Sequence, residues 1–198
     1  MIVFARHGQT APNRDGLVLG RADPELTEEG HQQAEWLAAT LATEAVTAIV
    51  ASPLLRARQT AEAIGHACGL PVALDDRLIE IDWGAWEGRA TGTLAKSDVD
   101  RLKAGKGTAP EGESLDSLAQ RVETFCTEHL DGGLVVAVSH VSPIKAAAAW
   151  AMGVDGAVAW RMFLGLASIT RVGQGRTSPL LLSFNETGHL HPAEDRKA

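Results

Sequence analysis

The sequence predicts an α/β fold of three layers, helices on both faces of a mainly parallel central sheet that ends in an antiparallel edge. Two observations lead there. Short apolar runs at residues 1–5, 46–51, 71–74 and 134–138 alternate with longer segments of helical periodicity, and spacers of that length require crossovers between parallel strands. Near the end, residues 166–172 and 180–185 alternate in the manner of strands and are joined by a Gly- and Ser-containing turn at 173–178, which reads as a hairpin. A chain of 198 residues is a comfortable size for one domain, expected here over 1–198.

Each element has a local reason. Residues 1–5, Met-Ile-Val-Phe-Ala, form a first strand: the run has no basic lead and no signal-peptide core. A loop with Gly and Pro follows Arg6-His7-Gly8 and runs to Pro24. Thr27 reads as an N-cap, with Glu28 and Glu29 in the first turn, where the helix dipole favours acids. That helix continues to about Thr43 and buries Ala34, Leu37, Ala38 and Leu41. After the strand at 46–51, Ser52-Pro53 reads as an N-cap with proline at the first helical position, opening a helix to Cys68 that Gly69 ends. Residues 78–81 look extended. Residues 82–113 are rich in Gly, Trp and charge and read as a loop with a short helix over the sheet. A helix over 115–130 is broken by Gly132-Gly133, and the most apolar strand, 134–138, leads into a helix from about 142 to 152. The polar residues 192–198 read as a frayed tail.

Composition narrows the class. The chain is 45% hydrophobic and 22% charged, with a net charge of −7. That balance argues against a general nucleic-acid or anionic-membrane binder. Cys68 and Cys126 have no metal-ligand spacing and read as buried free thiols, which fits a reducing cytoplasm. The apolar stretch at 146–152 is far too short to span a bilayer. An exposed edge strand would permit a homodimer without requiring one.

The chemistry sits at the strand ends. In an open, mostly parallel sheet, ligands bind outside the carboxyl ends of the strands. Three apolar runs lead directly into Arg6-His7-Gly8, into Ser52-Pro53 with Arg56 just beyond, and into Ser139-His140. Two histidines and two arginines are therefore expected to share one crevice. A neutral imidazole can attack phosphorus, and positioned cations stabilise the charge spread over a transferring phosphoryl group. His140 immediately precedes another helix N-terminus, whose free N–H groups and dipole favour an anion. A carboxylic acid must protonate the departing alkoxide, and Glu80 is the best candidate, with Asp82 and Glu87 as neighbouring alternatives. Trp83 and Trp86 read as packing groups that support the loop.

These residues also carry a resemblance. Arg6-His7-Gly8-Gln9-Thr10 with Asn13, Ser52-Pro53-Leu54-Leu55-Arg56-Ala57 with Thr60, Leu78-Ile79-Glu80 with Gly84 and Trp86-Glu87-Gly88, and Val138-Ser139-His140 occur in order. Together with the closing segment Phe184-Asn185-Glu186-Thr187-Gly188-His189-Leu190, they resemble the histidine phosphatase superfamily, also called phosphoglycerate-mutase-like. The resemblance covers roughly residues 1–191. It implies a phosphoglycerate-mutase-like fold, a phosphohistidine at His7, and phosphoryl oxygens held by Arg6, Arg56 and His140, with Asn13 and Val141 assisting. It further implies that Glu80 is the proton donor and then the base, that no metal or nucleotide cofactor is needed, and that the partner is a small phosphorylated metabolite. Val141-Ser142-Pro143 departs from the small residues that often follow the second histidine in the family, which alters the rim. The short length and Gly20-Arg21-Ala22-Asp23 look like the small phosphatases, such as α-ribazole-phosphate phosphatases and acid phosphatases. Phosphoglycerate-mutase-type transfer and a silent binding protein on the same fold are the alternatives.

Overall fold

The computed structural model describes residues 1–104 and 108–190; the frayed tail expected over 192–198 lies outside them. Six strands form one sheet: β1 (Ile2–Arg6), β2 (Ala48–Ala51), β3 (Val72–Leu74), β4 (Val135–Ser139), β5 (Ile169–Gln174) and β6 (Pro179–Glu186). Their order is β3-β2-β4-β1-β5-β6. The β3–β2, β2–β4 and β4–β1 pairs are parallel, whereas β1–β5 and β5–β6 are antiparallel. This is the expected mixed sheet, with the closing hairpin as its antiparallel edge.

Strands buried on both faces alternate between two cores. Ile2 and Phe4 of β1 face the side covered by α5 (Leu115–His129) and α6 (Val141–Met152), where they pack with Val122, Phe125, Ile144 and Ala147. Val3 and Ala5 face the other side, where α2 (Glu28–Leu41) and α3 (Leu55–Cys68) bring Leu37, Leu41, Ala61 and Ile64. The helices therefore flank the sheet on both faces, which gives the three layers expected.

Local rules explain most boundaries. Thr27 caps α2 by accepting from Gly30 N, and Gly69 and Gly153 end α3 and α6 in the left-handed conformation that glycine adopts without strain. Three expectations need correction. Ser52-Pro53 does not open α3: Leu54 is the N-cap, and Ser52 Oγ accepts from Leu54 N instead. Residues 78–81 are not extended throughout, because Leu78 closes a 3₁₀ turn capped by Asp75; Ile79, which follows it, is extended. The loop after His7 contains a helical turn, α1 (Ala11–Arg14), where the Asn13 side chain accepts from Thr10 N in a capping box.

Among the described residues, the segment 82–113 carries two 3₁₀ turns, Gly84–Trp86 and Thr91–Thr93, and one helix, α4 (Lys96–Lys103). Its base is closed by Glu113 N donating to Asp82 O (3.0 Å) and Ala85 N to Pro110 O (2.9 Å). No helix among the described residues is long and apolar enough to cross a membrane.

Candidate active site

Strand register brings the chemistry together. Arg6 lies opposite Ser139 and Ala51 opposite Val138, so β1, β2 and β4 end at one level. The next residues are His7, Ser52 and His140. The two imidazole rings lie 5.0 Å apart between centroids, at 56°. Arg6, His7, Glu80, Asn13 and Val141 all line one cavity of about 350 Å³, and Arg56 reaches His7 from α3.

The His7 ring is oriented by a carbonyl. Its Nδ1 lies 2.7 Å from Gly8 O, a bond that requires the proton on Nδ1. Nε2 is then the unprotonated nitrogen, and its lone pair accepts from Arg56 Nε at 3.3 Å. Burial, reinforced by Arg56 and Arg6, holds the His7 pKa well below its ordinary 6.5. The ring is therefore neutral near neutral pH, the form in which an imidazole nitrogen can act as a nucleophile.

Such close packing of the turn depends on two glycines. A Cβ on Gly8 would sit 2.3 Å from Gly30 O, and one on Gly30 would sit 2.1 Å from Gln9 O. Gly8 N is in turn held by Thr60 Oγ1, itself bonded to Arg56 O. A single stretch of backbone thus links the orientation of His7 to the start of α3.

Arg56 is fully buried. Besides His7, its guanidinium donates to Ala22 O (2.8 Å) and Gly20 O (2.7 Å). Burial lowers its pKa, while Glu80, Asp23 and Glu87 pull the other way. Arg6 donates to Leu164 O at 2.7 Å, and its Nε is buried without a partner. Burial pushes the Arg6 pKa down to about 10 against the attraction of Glu80. Both guanidiniums stay charged near neutrality, so each holds unused donors where an anion would satisfy them.

His140 caps α6 from the backbone, with Nε2 2.8 Å from Ser52 Oγ. Its Nδ1 is buried without a partner, and burial with Arg56 nearby lowers its pKa well below 6.5. Glu80 is almost fully buried, and one oxygen, Oε1, accepts from both Ile81 N (2.9 Å) and Ser142 N (3.2 Å). Burial raises its pKa despite those bonds and the nearby arginines. That leaves Oε2 as the oxygen a proton would occupy. The arrangement offers a neutral imidazole, two fixed cations and a carboxyl group that burial biases toward its protonated form, all around one space.

Asp82 and Glu87, the alternative acids, are engaged elsewhere. Asp82 Oδ1 accepts from Gly84 N. Glu87 receives Gly20 N (2.8 Å) on one oxygen and Arg21 N (3.0 Å) on the other. It thereby fixes the loop whose carbonyls hold Arg56, a role that sequence reasoning missed. The Gly20, Ala22 and Leu164 carbonyls were missed for a simpler reason: every residue has one, so no side-chain signature marks them. Trp83 and Trp86 pack as expected, with rings stacked at 6.1 Å, yet both also line the cavity. Among the described residues no three His, Cys, Asp or Glu side chains group as a metal ion would need.

The sequence model of the histidine phosphatase superfamily (branch 1) matches residues 2–187. The chain belongs to that superfamily. A bifunctional protein of Mycobacterium tuberculosis is 36% identical over 200 residues, 96% of this chain but 54% of the relative, so the chain spans about half that protein's length. Phosphoserine phosphatase 1 of Hydrogenobacter thermophilus is 33% identical over 96% of this chain and 93% of its own. Among solved structures, the phosphoserine phosphatase of Entamoeba histolytica in complex with 3-phosphoglyceric acid superposes with a TM-score of 0.88. It is 28% identical, over 96% of this chain and 98% of that one. The mycobacterial glucosyl-3-phosphoglycerate phosphatase gives a TM-score of 0.84 at 29% identity, over 94% and 98% of the two chains.

Proposed function

We propose that this chain is a phosphomonoesterase that hydrolyses a small phosphorylated metabolite through a phosphohistidine at His7. The observation that carries the reading is the unprotonated His7 Nε2: the Nδ1–Gly8 bond fixes that tautomer, and the lone pair points at the Arg56 guanidinium, where a phosphoryl group held by Arg56 would meet it. The phosphatases among its relatives support the same class of reaction.

In the first step His7 Nε2 forms a bond to phosphorus as the bond from phosphorus to the ester oxygen breaks. Glu80 gives its proton to the departing alkoxide. Arg6, Arg56 and His140 hold the phosphoryl oxygens, with Asn13 and the Val141 N–H at the start of α6 assisting; these cations and N–H groups supply most of the stabilisation. In the second step the Glu80 carboxylate takes a proton from water, the water oxygen attacks phosphorus and the P–N bond breaks. Inorganic phosphate leaves, and His7 and Glu80 return to their starting states. On this reading residues 1–198 are a single catalytic domain acting in the cytoplasm, where two free thiols would stay reduced.

Incubation with a ³²P-labelled monoester followed by an alkaline quench should leave label on His7. His7→Ala should carry none and lose turnover by at least on the order of a thousandfold. Label-free wild-type protein, or near-normal turnover in His7→Ala, would refute the assignment. Stoichiometric release of inorganic phosphate separates hydrolysis from mutase-type transfer.

A further inference from the structure

We infer that the cavity beside His7 is built to hold a bulky apolar alcohol, so that the preferred substrates are phosphomonoesters of alkyl or aromatic alcohols rather than short carboxylated ones. This rests on the reading of His7 as phosphoryl acceptor.

The cavity is far larger than a phosphoryl group, and the polar groups of the site make up only part of its lining. Beyond Arg6, His7 and Glu80, its walls include Leu17, Leu19, Val99 and Leu102 with the indoles of Trp83 and Trp160. These side chains come from separate parts of the chain: the segment after α1, the start of the 82–113 cover, α4 and the 3₁₀ turn at Gly156–Arg161. An apolar surface assembled from distant pieces is not the by-product of one amphipathic helix.

The wall is also fixed in shape. Val18, Trp86, Leu102 and Ala109 form a small buried core of their own, with Trp83 and Trp160 packed against it. Trp83 contacts both Trp86, at 6.1 Å, and Trp160, at 6.3 Å between ring centroids. A preformed apolar pocket binds an apolar group without first ordering itself. A carboxylate placed against these leucines and indoles would lose its hydration. Of the nearby cations, Arg6 and Arg56 are already committed to the phosphoryl oxygens, and Lys145 lines the adjoining cavity instead of this one.

A series of n-alkyl phosphates from ethyl to octyl tests this cleanly, because the leaving-group pKa hardly changes along it. With phosphate release as readout, kcat/KM should rise roughly fourfold per methylene until the cavity is full. The hexyl ester should exceed phosphoserine and 3-phosphoglycerate. Leu17→Asn, at the half-exposed rim, should lower the gain per methylene. A flat alkyl series, or higher kcat/KM for phosphoserine or 3-phosphoglycerate than for the hexyl ester, would overturn the inference. Acetyl phosphate, a small activated donor with almost no alcohol to bind, isolates the chemistry. Label on His7 from acetyl phosphate with a flat alkyl series sinks the alcohol chamber alone, whereas no label from acetyl phosphate sinks the His7 reading itself.

Discussion

The residues around His7 come from two regions built on different physics. The ends of β1, β2 and β4, with the first turns of α3 and α6, make a cradle whose positions are fixed by sheet register and by backbone carbonyls. The cover, residues 82–113, closes on itself. It is tied down by a small apolar cluster, by Arg121 paired with Glu113 at 2.8 Å, and by backbone bonds from Val18 N to Arg89 O and Gly88 N to Val18 O. In the cradle buried polar groups are the rule, each held by a named partner or left facing the cavity. In the cover the charged groups are mostly solvated and the apolar ones face inward. The cradle suits chemistry that tolerates no displacement, and the cover suits recognition, where side chains can vary.

Packing should separate the two most sharply. Gly8→Ala drives a methyl into the Gly30 carbonyl, 2.3 Å from the new Cβ, where backbone rather than a flexible side chain would have to move. Overpacking of this kind costs about 3 kcal/mol or more. Gly92→Ala in the cover meets nothing within 4 Å and should change stability by less than about 0.5 kcal/mol. Urea denaturation of both variants checks the contrast. Equal midpoints for the two would mean that the Gly8–Gly30 contact is not a constraint.

The same division explains what could be read in advance. The strands of the cradle show as apolar runs, and residues that follow a parallel strand must lie at its carboxyl end, so Arg6, His7, Ser52 and His140 could be placed from sequence. Glu80 lies beside them although it follows a 3₁₀ turn, Asp76–Leu78, and not a strand. The cover could not be read because its leucines and tryptophans follow no period. They are buried by contacts with Val18 and Trp160, far away in sequence. Glu87 was weighed as an acid because only its charge was visible, whereas its role comes from two backbone N–H groups across the site.

Glu87 is where the two regions touch, and it offers the next largest effect. It holds the Gly20–Ala22 loop, that loop holds Arg56, and Arg56 faces His7. Glu87→Gln removes the charge and one of the two acceptors. A displacement of Arg56 by a fraction of an ångström should lower kcat by on the order of tenfold to a hundredfold. Stability should change by less than about 1 kcal/mol, since Glu87 is half-exposed. Glu87→Asp should recover part of the loss if the carboxylate acts through the loop. Normal kcat in Glu87→Gln would disconnect the cover from the chemistry.

Acid sensitivity should reside in the cradle as well, because His7 and His140 are buried there while residues 82–113 contain no histidine. Both rings are held neutral with pKa values well below 6.5, chiefly by burial and then by Arg56. Below pH 6.5 the unfolded chain takes up protons that the folded chain refuses, so their contribution to stability is complete above pH 6.5 and falls with pH. Each such histidine costs about 1.4 kcal/mol per pH unit in that window. Glu80 works in the opposite sense: its raised pKa favours the fold at low pH and gives up that contribution as pH rises through the folded value. Below pH 6.5 the two histidines therefore set the loss, and Glu80 opposes it once the pH falls below its own raised pKa. Urea midpoints of wild type and His140→Gln at pH 7.5, 6.5 and 5.5 should show a shallower loss in the variant, by about one histidine's share. Arg89→Ala, in the cover, should leave the slope intact. An unchanged slope in His140→Gln would mean that its ring protonates within the folded cradle, and the neutral imidazole facing the phosphoryl site would have to be given up.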